Sequence, residues 1–312
     1  MNRIFKRAGA RIGQAAMLGG LGLLWLASRL PLRWQQRLGK ALGTAAHAIH
    51  PYRKDVALTN LRLCFPDWTE ERRKALLKAH FQSMGIGLFE LGTAWWGKNG
   101  AFRNLANVTG VEHLKRLEAE GRGALLLSAH FTTLEIAGRL LTEKFPFSCL
   151  YRNPNNPLVA HYMKEARARQ MKTLVHFDDM MGMIRALKRG EFLWYAPDQG
   201  KVFKYTSILP FFGEPAVTNT ATGRIAKMGN AAIVPFFGKR EADGRYTIEI
   251  HPPLETMPSN DPEADALAVN KLIEGFIERA PEQYFWLHRR FKYRGPEYPD
   301  AYAKTSSASV SK

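Results

Sequence analysis

The stretch GALLLSAHFTTLEIAG, residues Gly123–Gly138, places an apolar run, a histidine and a polar segment in close succession. Its first seven residues are small or apolar and lead directly to His130, and two threonines separate that histidine from Glu135. This order predicts a buried strand, a polar turn and a new helix. His130 would then lie at the carboxyl end of a strand, where open α/β sheets bind their ligands.

The spacing of His130 and Glu135 sets a geometric condition on this turn. On a single helix two side chains five residues apart diverge by roughly 140°, because each residue turns by about 100°. They face the same site only if His130 precedes the helix and Glu135 lies in its first turn. Thr132 or Thr133 is suited to be the N-cap of that helix.

The charge of the chain is concentrated at its amino terminus. The 312 residues carry a formal net charge of +17, and the first 54 hold ten of the 45 basic side chains and no acidic one. Hydrophobic residues make up 46% of the chain, which supports a sizeable core and argues against disorder. A strongly basic surface suits an anionic partner such as a lipid membrane.

A charge-free run from Ile12 to Ser28 lies between basic flanks near the amino terminus. As a helix it spans about 25 Å, slightly less than a hydrocarbon core of about 30 Å. A cleaved signal peptide would show a small-residue cleavage site, and a buried soluble helix would leave the basic flanks unexplained. A membrane anchor over residues 1–30, lying in the plane or crossing once, accounts for both features.

The remaining sequence predicts an α/β fold, with a mostly parallel central sheet flanked by helices and preceded by a helical region. Apolar runs and amphipathic helices alternate from Val108 onward, as βαβ units do. We expect this domain to cover residues 31–300, with a loop over Pro197–Ser207 and a last helix near Glu282–Phe291. Residues 301–312 read as a disordered tail.

Several side chains could carry chemistry at the carboxyl edge of this sheet. A histidine removes a proton from a hydroxyl, and a carboxylate on its other nitrogen stabilises the imidazolium, although His130 and Glu135 also fit a capped helix with a structural histidine. Arg152 suits a phosphate or oxyanion, or is a solvated loop residue. Asp198 would orient a substrate hydroxyl or a basic side chain, or cap a turn. His130, Arg152 and Asp198 each follow a predicted strand, so we expect their side chains to converge at the same edge of the sheet.

Other features bear on cofactors and partners. Cys64 and Cys149 stand in apolar contexts without a CxxC or HExxH pattern, so we expect neither a disulfide nor a metal site. Arg289 belongs to the basic run HRRFK, which alone suggests an anion-binding surface. A nucleic-acid-binding module is the alternative from another class, but the chain shows no RNP or helix-turn-helix signature. Aromatic residues would line an apolar pocket or belong to the core: Trp95, Trp96, Phe211, Phe212, Phe236 and Phe237.

Five segments together resemble one known family. SAHFTTLE is similar to the H-x4-D/E motif of glycerolipid-type acyltransferases, with Glu135 at the acidic position. The chain resembles the late, or secondary, acyltransferases of lipid A biosynthesis, the lauroyl and myristoyl branch, through about Pro296. The other segments that carry the resemblance are YRNPNNPLV, APDQG, LPFFGEPAVTNTATGRIAKMGNAAIVPFF and PEQYFWLHRRFK.

This resemblance implies transfer of a fatty acyl chain from acyl carrier protein to a hydroxyl on an acyl chain of a lipid A precursor. His130 would be the general base and Glu135 its partner, with Arg152, Asp198 and Arg289 binding substrate and without a covalent acyl-enzyme. It also implies that no metal or organic cofactor is needed, and a bacterial inner-membrane location with the catalytic domain on the cytoplasmic side. A glycerolipid or glycolipid acceptor remains the alternative within the superfamily.

Overall fold

A computed structural model provides the structure of the chain. It describes side chains from Gly13 onward and the backbone of residues 2–98, 102, 104–200, 202 and 204–303. The helices are α1 (Asn2–Ala27), α2 (Leu32–Ile49), α3 (Pro51–Cys64), α4 (Glu70–Trp96), α5 (Val111–Ala119), α6 (Leu134–Thr142), α7 (Pro157–Gln170), α8 (Met180–Lys188), α9 (Ala221–Gly229) and α10 (Pro262–Arg279). The strands are β1 (Ala106–Thr109), β2 (Ala124–Leu127), β3 (Ser148–Tyr151), β4 (Leu174–His176), β5 (Phe192–Tyr195), β6 (Thr206–Phe211), β7 (Glu214–Asn219), β8 (Ala232–Arg240) and β9 (Tyr246–Ile250).

A seven-stranded sheet forms the centre of the domain, with the strand order β1-β9-β8-β2-β5-β3-β4. The five strands from β8 to β4 are parallel, whereas β9 pairs antiparallel with β8 and parallel with β1. All four residues of β2 are completely buried, as expected for a central strand covered by helices on both faces. The predicted α/β class with a mostly parallel sheet is therefore confirmed.

Two predicted segments adopt a different structure. β6 and β7 form a separate antiparallel hairpin that begins inside the predicted loop, and Phe212 and Gly213 turn it with φ values of 51° and 80°. Such a turn needs positive φ at both central residues. Because Phe is not a residue that favours positive φ, the sequence does not indicate a turn at Phe212. The predicted helix over Glu282–Phe291 is only a 3-10 turn at Pro281–Gln283, because the backbone N–H of Phe285 donates to His130 O instead.

Both chain ends bear on expectations from the sequence. Among the described residues, no helix combines the length and the apolar character that crossing a bilayer requires, so the membrane anchor expected over residues 1–30 has no support as a spanning helix. At the other end Tyr302 is buried, and its hydroxyl accepts from the N–H of Phe291 at 3.1 Å and donates to Asn60. The packed chain therefore continues to Tyr302, inside the expected tail of residues 301–312, and residues 304–312 lie outside the described residues.

Helices α2 and α4 approach each other through glycines. A Cβ atom added to Gly43 would lie 2.1 Å from the carbonyl oxygen of Phe81, and one added to Gly85 would lie 2.1 Å from that of Gly39. Real Cβ atoms do not come this close to backbone oxygens, so only glycine permits the observed separation of the two helices. The contact holds α2 against the α/β domain.

This contact predicts the effect of one added methyl group. Gly43→Ala should lower the free energy of unfolding by about 1–3 kcal/mol, because the backbone of α4 cannot move away without losing its own packing. Gly275→Ala in α10 is the matched control. Nothing lies within 4 Å of its Cβ position, so this change should stabilise the protein by about 0.5–1 kcal/mol. Equal effects of both changes in urea denaturation would contradict the close approach.

Candidate active site

Three of the candidate side chains meet at the carboxyl edge of the parallel sheet. His130 lies three residues after β2, Arg152 directly follows β3, and Asp198 lies three residues after β5. Since β2, β5 and β3 are parallel neighbours, these positions are at the same edge. His130 and Arg152 line one cavity, and Asp198 contacts His130 directly. The convergence expected from the strand order is present.

Asp198 holds both the ring and the backbone of His130. The Nδ1–H of His130 donates to Asp198 Oδ1 at 2.7 Å, and its backbone N–H donates to Oδ2 at 3.1 Å. The carboxylate is only 1% exposed, whereas the imidazole is 34% exposed. Because Nδ1 is engaged, Nε2 is the nitrogen that remains for a substrate.

The charges of this pair stabilise each other. Burial lowers the pKa of His130, but the charge and hydrogen bond of Asp198 outweigh it, so the pKa is raised from its ordinary value. Burial raises the pKa of Asp198, but His130 and nearby Arg290 outweigh it, so that pKa is lowered. Asp198 therefore stays ionised at neutral pH, and its charge makes the imidazole of His130 a stronger proton acceptor than a free one.

Glu135 has other partners than the expected histidine. The helix α6 begins at Leu134, so the predicted placement of His130 before the helix and Glu135 in its first turn is correct. Within the described chain, however, the Glu135 carboxylate pairs with Arg167, at 2.6 and 3.0 Å, and accepts from Trp95 Nε1 at 2.9 Å. The structure therefore does not show the direct contact between His130 and Glu135.

The Glu135–Arg167 ion pair has a physical reason in the packing of three helices. The first turn of α6 directs Glu135 toward α4, which carries Trp95, and toward α7, which carries Arg167. Burial raises the pKa of Glu135, but the guanidinium outweighs it and the net shift is downward. The positive charge of Arg167 also acts on His130, whose pKa it lowers. Glu135 and His130 are thus linked electrostatically through Arg167.

An apolar cavity of about 200 Å³ opens beside His130. Arg152 stands at this cavity, and its side chain is exposed. The other lining residues are Leu150, Tyr151, Phe177, Trp194, Tyr195, Ala196 and Gln199. The aromatic residues suggested from the sequence lie elsewhere, since Phe211 and Phe237 are in one core cluster and Phe236 is in the other.

Arg289 does not line the cavity beside His130 and has structural partners. Its guanidinium donates to both oxygens of Asp300, at 3.0 and 3.3 Å, and lies over the ring of Tyr302. It also lines a second cavity, of about 290 Å³, next to Gly200. No group of three or more potential metal ligands occurs among the residues that the structure describes, and Cys64 and Cys149 are buried free thiols.

The sequence did not reveal Arg167 or Arg290. Arg167 lies in the amphipathic helix α7 with other basic residues, so only the tertiary packing distinguishes it. Arg290 stands within the basic run HRRFK but is buried, and it donates to Val217 O and to Thr218 Oγ1. A basic cluster in the sequence normally indicates a solvated surface, so no sequence pattern predicts that Arg290 is buried.

The ion pair between Arg167 and Glu135 predicts a non-additive mutant cycle. Arg167→Leu should cost about 3 kcal/mol of unfolding free energy, because it leaves the Glu135 carboxylate buried without a counter-charge. Adding Glu135→Leu should recover much of that loss. Arg116→Leu, which breaks an exposed pair with Glu120, should cost less than about 1 kcal/mol. Additive losses in denaturant titrations would contradict the coupling.

Comparison with known proteins identifies the family. The family model described as bacterial lipid A biosynthesis acyltransferase matches residues 5–293. The lipid A biosynthesis lauroyltransferase of Escherichia coli K12 is 39% identical over 91% of this chain and 93% of its own length. The palmitoleoyltransferase of the same strain is 37% identical over 88% and 90%, and the myristoyltransferase is 25% identical over 92% and 88%. The chain therefore belongs to the bacterial lipid A biosynthesis acyltransferases.

Proposed function

We propose that this acyltransferase moves a lauroyl-type fatty acyl chain from acyl carrier protein to a hydroxyl on an acyl chain of a lipid A precursor. The observation that carries the proposal is the His130–Asp198 pair, which leaves Nε2 available at the edge of an apolar cavity. The lauroyl preference rests on the lauroyltransferase that is 39% identical to this chain. The histidine supplies the base, and the cavity suits an apolar chain.

The proposed reaction proceeds by direct attack. Nε2 of His130 accepts the proton of the acceptor hydroxyl while the oxygen attacks the thioester carbonyl of the acyl carrier. The tetrahedral intermediate collapses with cleavage of the carbon–sulfur bond, and the imidazolium returns its proton to the departing thiolate. The products are an ester and a free thiol. Asp198 stabilises the imidazolium that exists between the two proton transfers.

Glu135 supports this base indirectly in the proposed mechanism. Its carboxylate neutralises Arg167, whose positive charge otherwise disfavours protonation of His130. The sequence predicts a pair of His130 and Glu135. In the proposed mechanism four side chains act together: Asp198 contacts His130, and Glu135 acts on His130 through Arg167. Arg152, which lines the cavity of His130, is positioned to stabilise the oxyanion or a substrate phosphate. Arg289 is the weaker candidate for binding substrate, since Asp300 already engages it.

A cytoplasmic-side association with the bacterial inner membrane is part of the proposal. Exposed apolar side chains on α1 and α2, among them Trp25 and Trp34, accompany the basic residues of the amino-terminal region. This combination is typical of helices that lie in the interface of an anionic membrane. The same positive field would attract an acidic acyl carrier protein.

Replacement of His130 tests the proposed base. His130→Ala should lower kcat for acyl transfer by about 10²–10⁴-fold, because the hydroxyl loses its proton acceptor. Glu135→Ala should also lower kcat strongly, since it leaves Arg167 without a counter-charge near His130. His161→Ala, at an exposed histidine of α7, is the matched control and should leave turnover unchanged.

The assay should compare a lipid A precursor with a lysophospholipid and a glycolipid acceptor, using lauroyl carrier protein as the donor. Preferential turnover of the lipid A precursor supports the proposal. Preference for another acceptor would instead support the alternative, an acyltransferase that acts on a glycerolipid or a glycolipid. Near-normal turnover by the folded His130→Ala variant would refute the mechanism.

Asp198→Asn should change the pH dependence of the reaction. Asp198 raises the pKa of His130, so removing its charge lowers that pKa. The acidic limb of kcat/KM, where the base becomes protonated, should therefore move to lower pH, and transfer at neutral pH should fall by about 10²–10⁴-fold. Asp178→Asn, at an exposed carboxylate beside His176, is the control. An acidic limb that stays in place or moves upward would contradict the role of Asp198.

A further inference from the structure

A large cationic cleft lies next to the candidate active site and has no part in the chemistry described above. It has a volume of about 700 Å³ and is formed by α2, α4, the β8–β9 hairpin and the end of α10. Gln36 of α2 closes one side, where its Nε2 donates to the carbonyl of Gly244 in the hairpin at 2.8 Å. Six basic side chains line this cationic cleft: Arg33, Arg37, Lys40, Lys239, Arg240 and Arg279.

The charges on the two walls differ in their partners. On the far wall Arg240 pairs with buried Glu90, and Arg279 pairs with Glu249. The basic side chains of the α2 wall are Arg33, Arg37 and Lys40. In the part of the chain that the structure describes, none of them lies within 4.0 Å of a carboxylate. These three cations are exposed on one side of the helix and face the cleft. Three carboxylates also line the cleft, Glu241, Asp243 and Glu282, and Glu241 pairs with Lys239. The six basic side chains outnumber them, and the three on the α2 wall have no directly paired carboxylate.

Helix α2 presents three distinct faces. Gly39 and Gly43 pack against α4, and the cationic residues line the cleft. The third face is apolar and exposed, with Trp34, Leu38 and Leu42 each about half exposed to solvent. At 3.6 residues per turn, this apolar stripe runs along the helix directly beside the cationic one. Such a helix places apolar side chains among acyl chains and its cations at the level of phosphates.

The floor of the cleft is hydrogen-bonded to the loop that carries His130. Arg240 donates to Ser83 Oγ at 3.2 Å, and Ser83 Oγ shares a hydrogen bond of 2.7 Å with Thr132 Oγ1. The backbone N–H of Thr132 donates to Gln283 O at 2.7 Å, and Gln283 also bonds the backbone of Arg240. Thr132 is two residues from His130, a separation of at most about 7 Å along the chain.

We propose that the cationic cleft binds the phosphate of a lipid headgroup. The assignment to the acceptor rests on the proposed function, because a phosphate held here would place an acyl chain of the same molecule near His130. The second source with the same chemistry is a phospholipid of the bilayer. An acidic protein would also meet a positive wall, but the apolar stripe beside the cations favours a lipid surface.

The test compares three variants of the full chain. Arg33→Gln/Arg37→Gln/Lys40→Gln removes the charge of the α2 wall, and Arg33→Lys/Arg37→Lys/Lys40→Arg keeps it. The matched control, Lys115→Gln/Lys164→Gln/Lys188→Gln, removes three exposed charges on α5, α7 and α8. Binding is measured by co-sedimentation with phosphatidylcholine vesicles that contain the lipid A precursor, its dephosphorylated form or phosphatidylglycerol, and acceptor KM is measured separately.

The neutral α2 variant should lose between about tenfold and a hundredfold in affinity for vesicles with the phosphorylated precursor, and its acceptor KM should rise while kcat stays close to normal. The charge-keeping variant and the control should behave as the unchanged protein. A loss confined to the phosphorylated precursor identifies the acceptor as the source. An equal loss on phosphatidylglycerol identifies the bilayer phospholipid.

Two results would overturn the proposal for the cleft. One is unchanged lipid binding by the neutral variant, or a loss that the control reproduces. The other is intact lipid binding with a raised KM for the acyl carrier protein, which would make an acidic protein the occupant. The co-sedimentation assay needs no turnover, so lipid binding without any acyl transfer would refute the proposed function and leave the phosphate site standing.

Discussion

The contact between His130 and Asp198 is the interaction on which the arrangement of the site depends. Two parallel strands deliver these residues to the same edge of the sheet, and Asp198 then fixes both the imidazole and the backbone of the histidine. Burying a carboxylate costs free energy unless it is paired and hydrogen-bonded, and the histidine supplies both. The fold therefore keeps a charge inside the protein at the place where the proposed mechanism requires a proton acceptor.

A second buried charge pair stabilises the elements around this contact. Glu135 and Arg167 connect α6 with α7, and Trp95 of α4 completes the hydrogen bonding of the carboxylate. Helix α4 thus contacts the loop that carries His130 on one face, and on another face it packs against the glycines of α2. Through α4, the proposed lipid-facing surface of α2 and the proposed base belong to one packed unit.

The sequence specifies the sheet and the position of the histidine better than it specifies the partners. The apolar run before His130 forms a fully buried strand, because strand signals are local. Thr133 occupies the N-cap position, but its hydroxyl donates to Gly238 O and does not cap the helix. The identity of the carboxylate at His130 depends on strand order, which no short motif encodes. Local spacing favoured Glu135, whereas the parallel pairing of β2 with β5 brings Asp198 to the ring.

The same limit explains the other differences. The β6–β7 hairpin depends on a positive φ at Phe212, whose N–H is held by Glu274, 62 residues away. The cationic cleft depends on the contact of α2 with the β8–β9 hairpin, over 200 residues apart in the chain. Long-range contacts of this kind arise from tertiary packing, so the basic residues of α2 suggested an anionic partner without indicating a cleft.

Direct titration of the His130 ring by 15N nuclear magnetic resonance tests the central claim most directly. The account predicts a pKa above the ordinary value of about 6.5 and, in the neutral form, a proton on Nδ1 held by Asp198. A pKa below the ordinary value, or a neutral ring that carries its proton on Nε2, would contradict the assignment of His130 as the base oriented by Asp198.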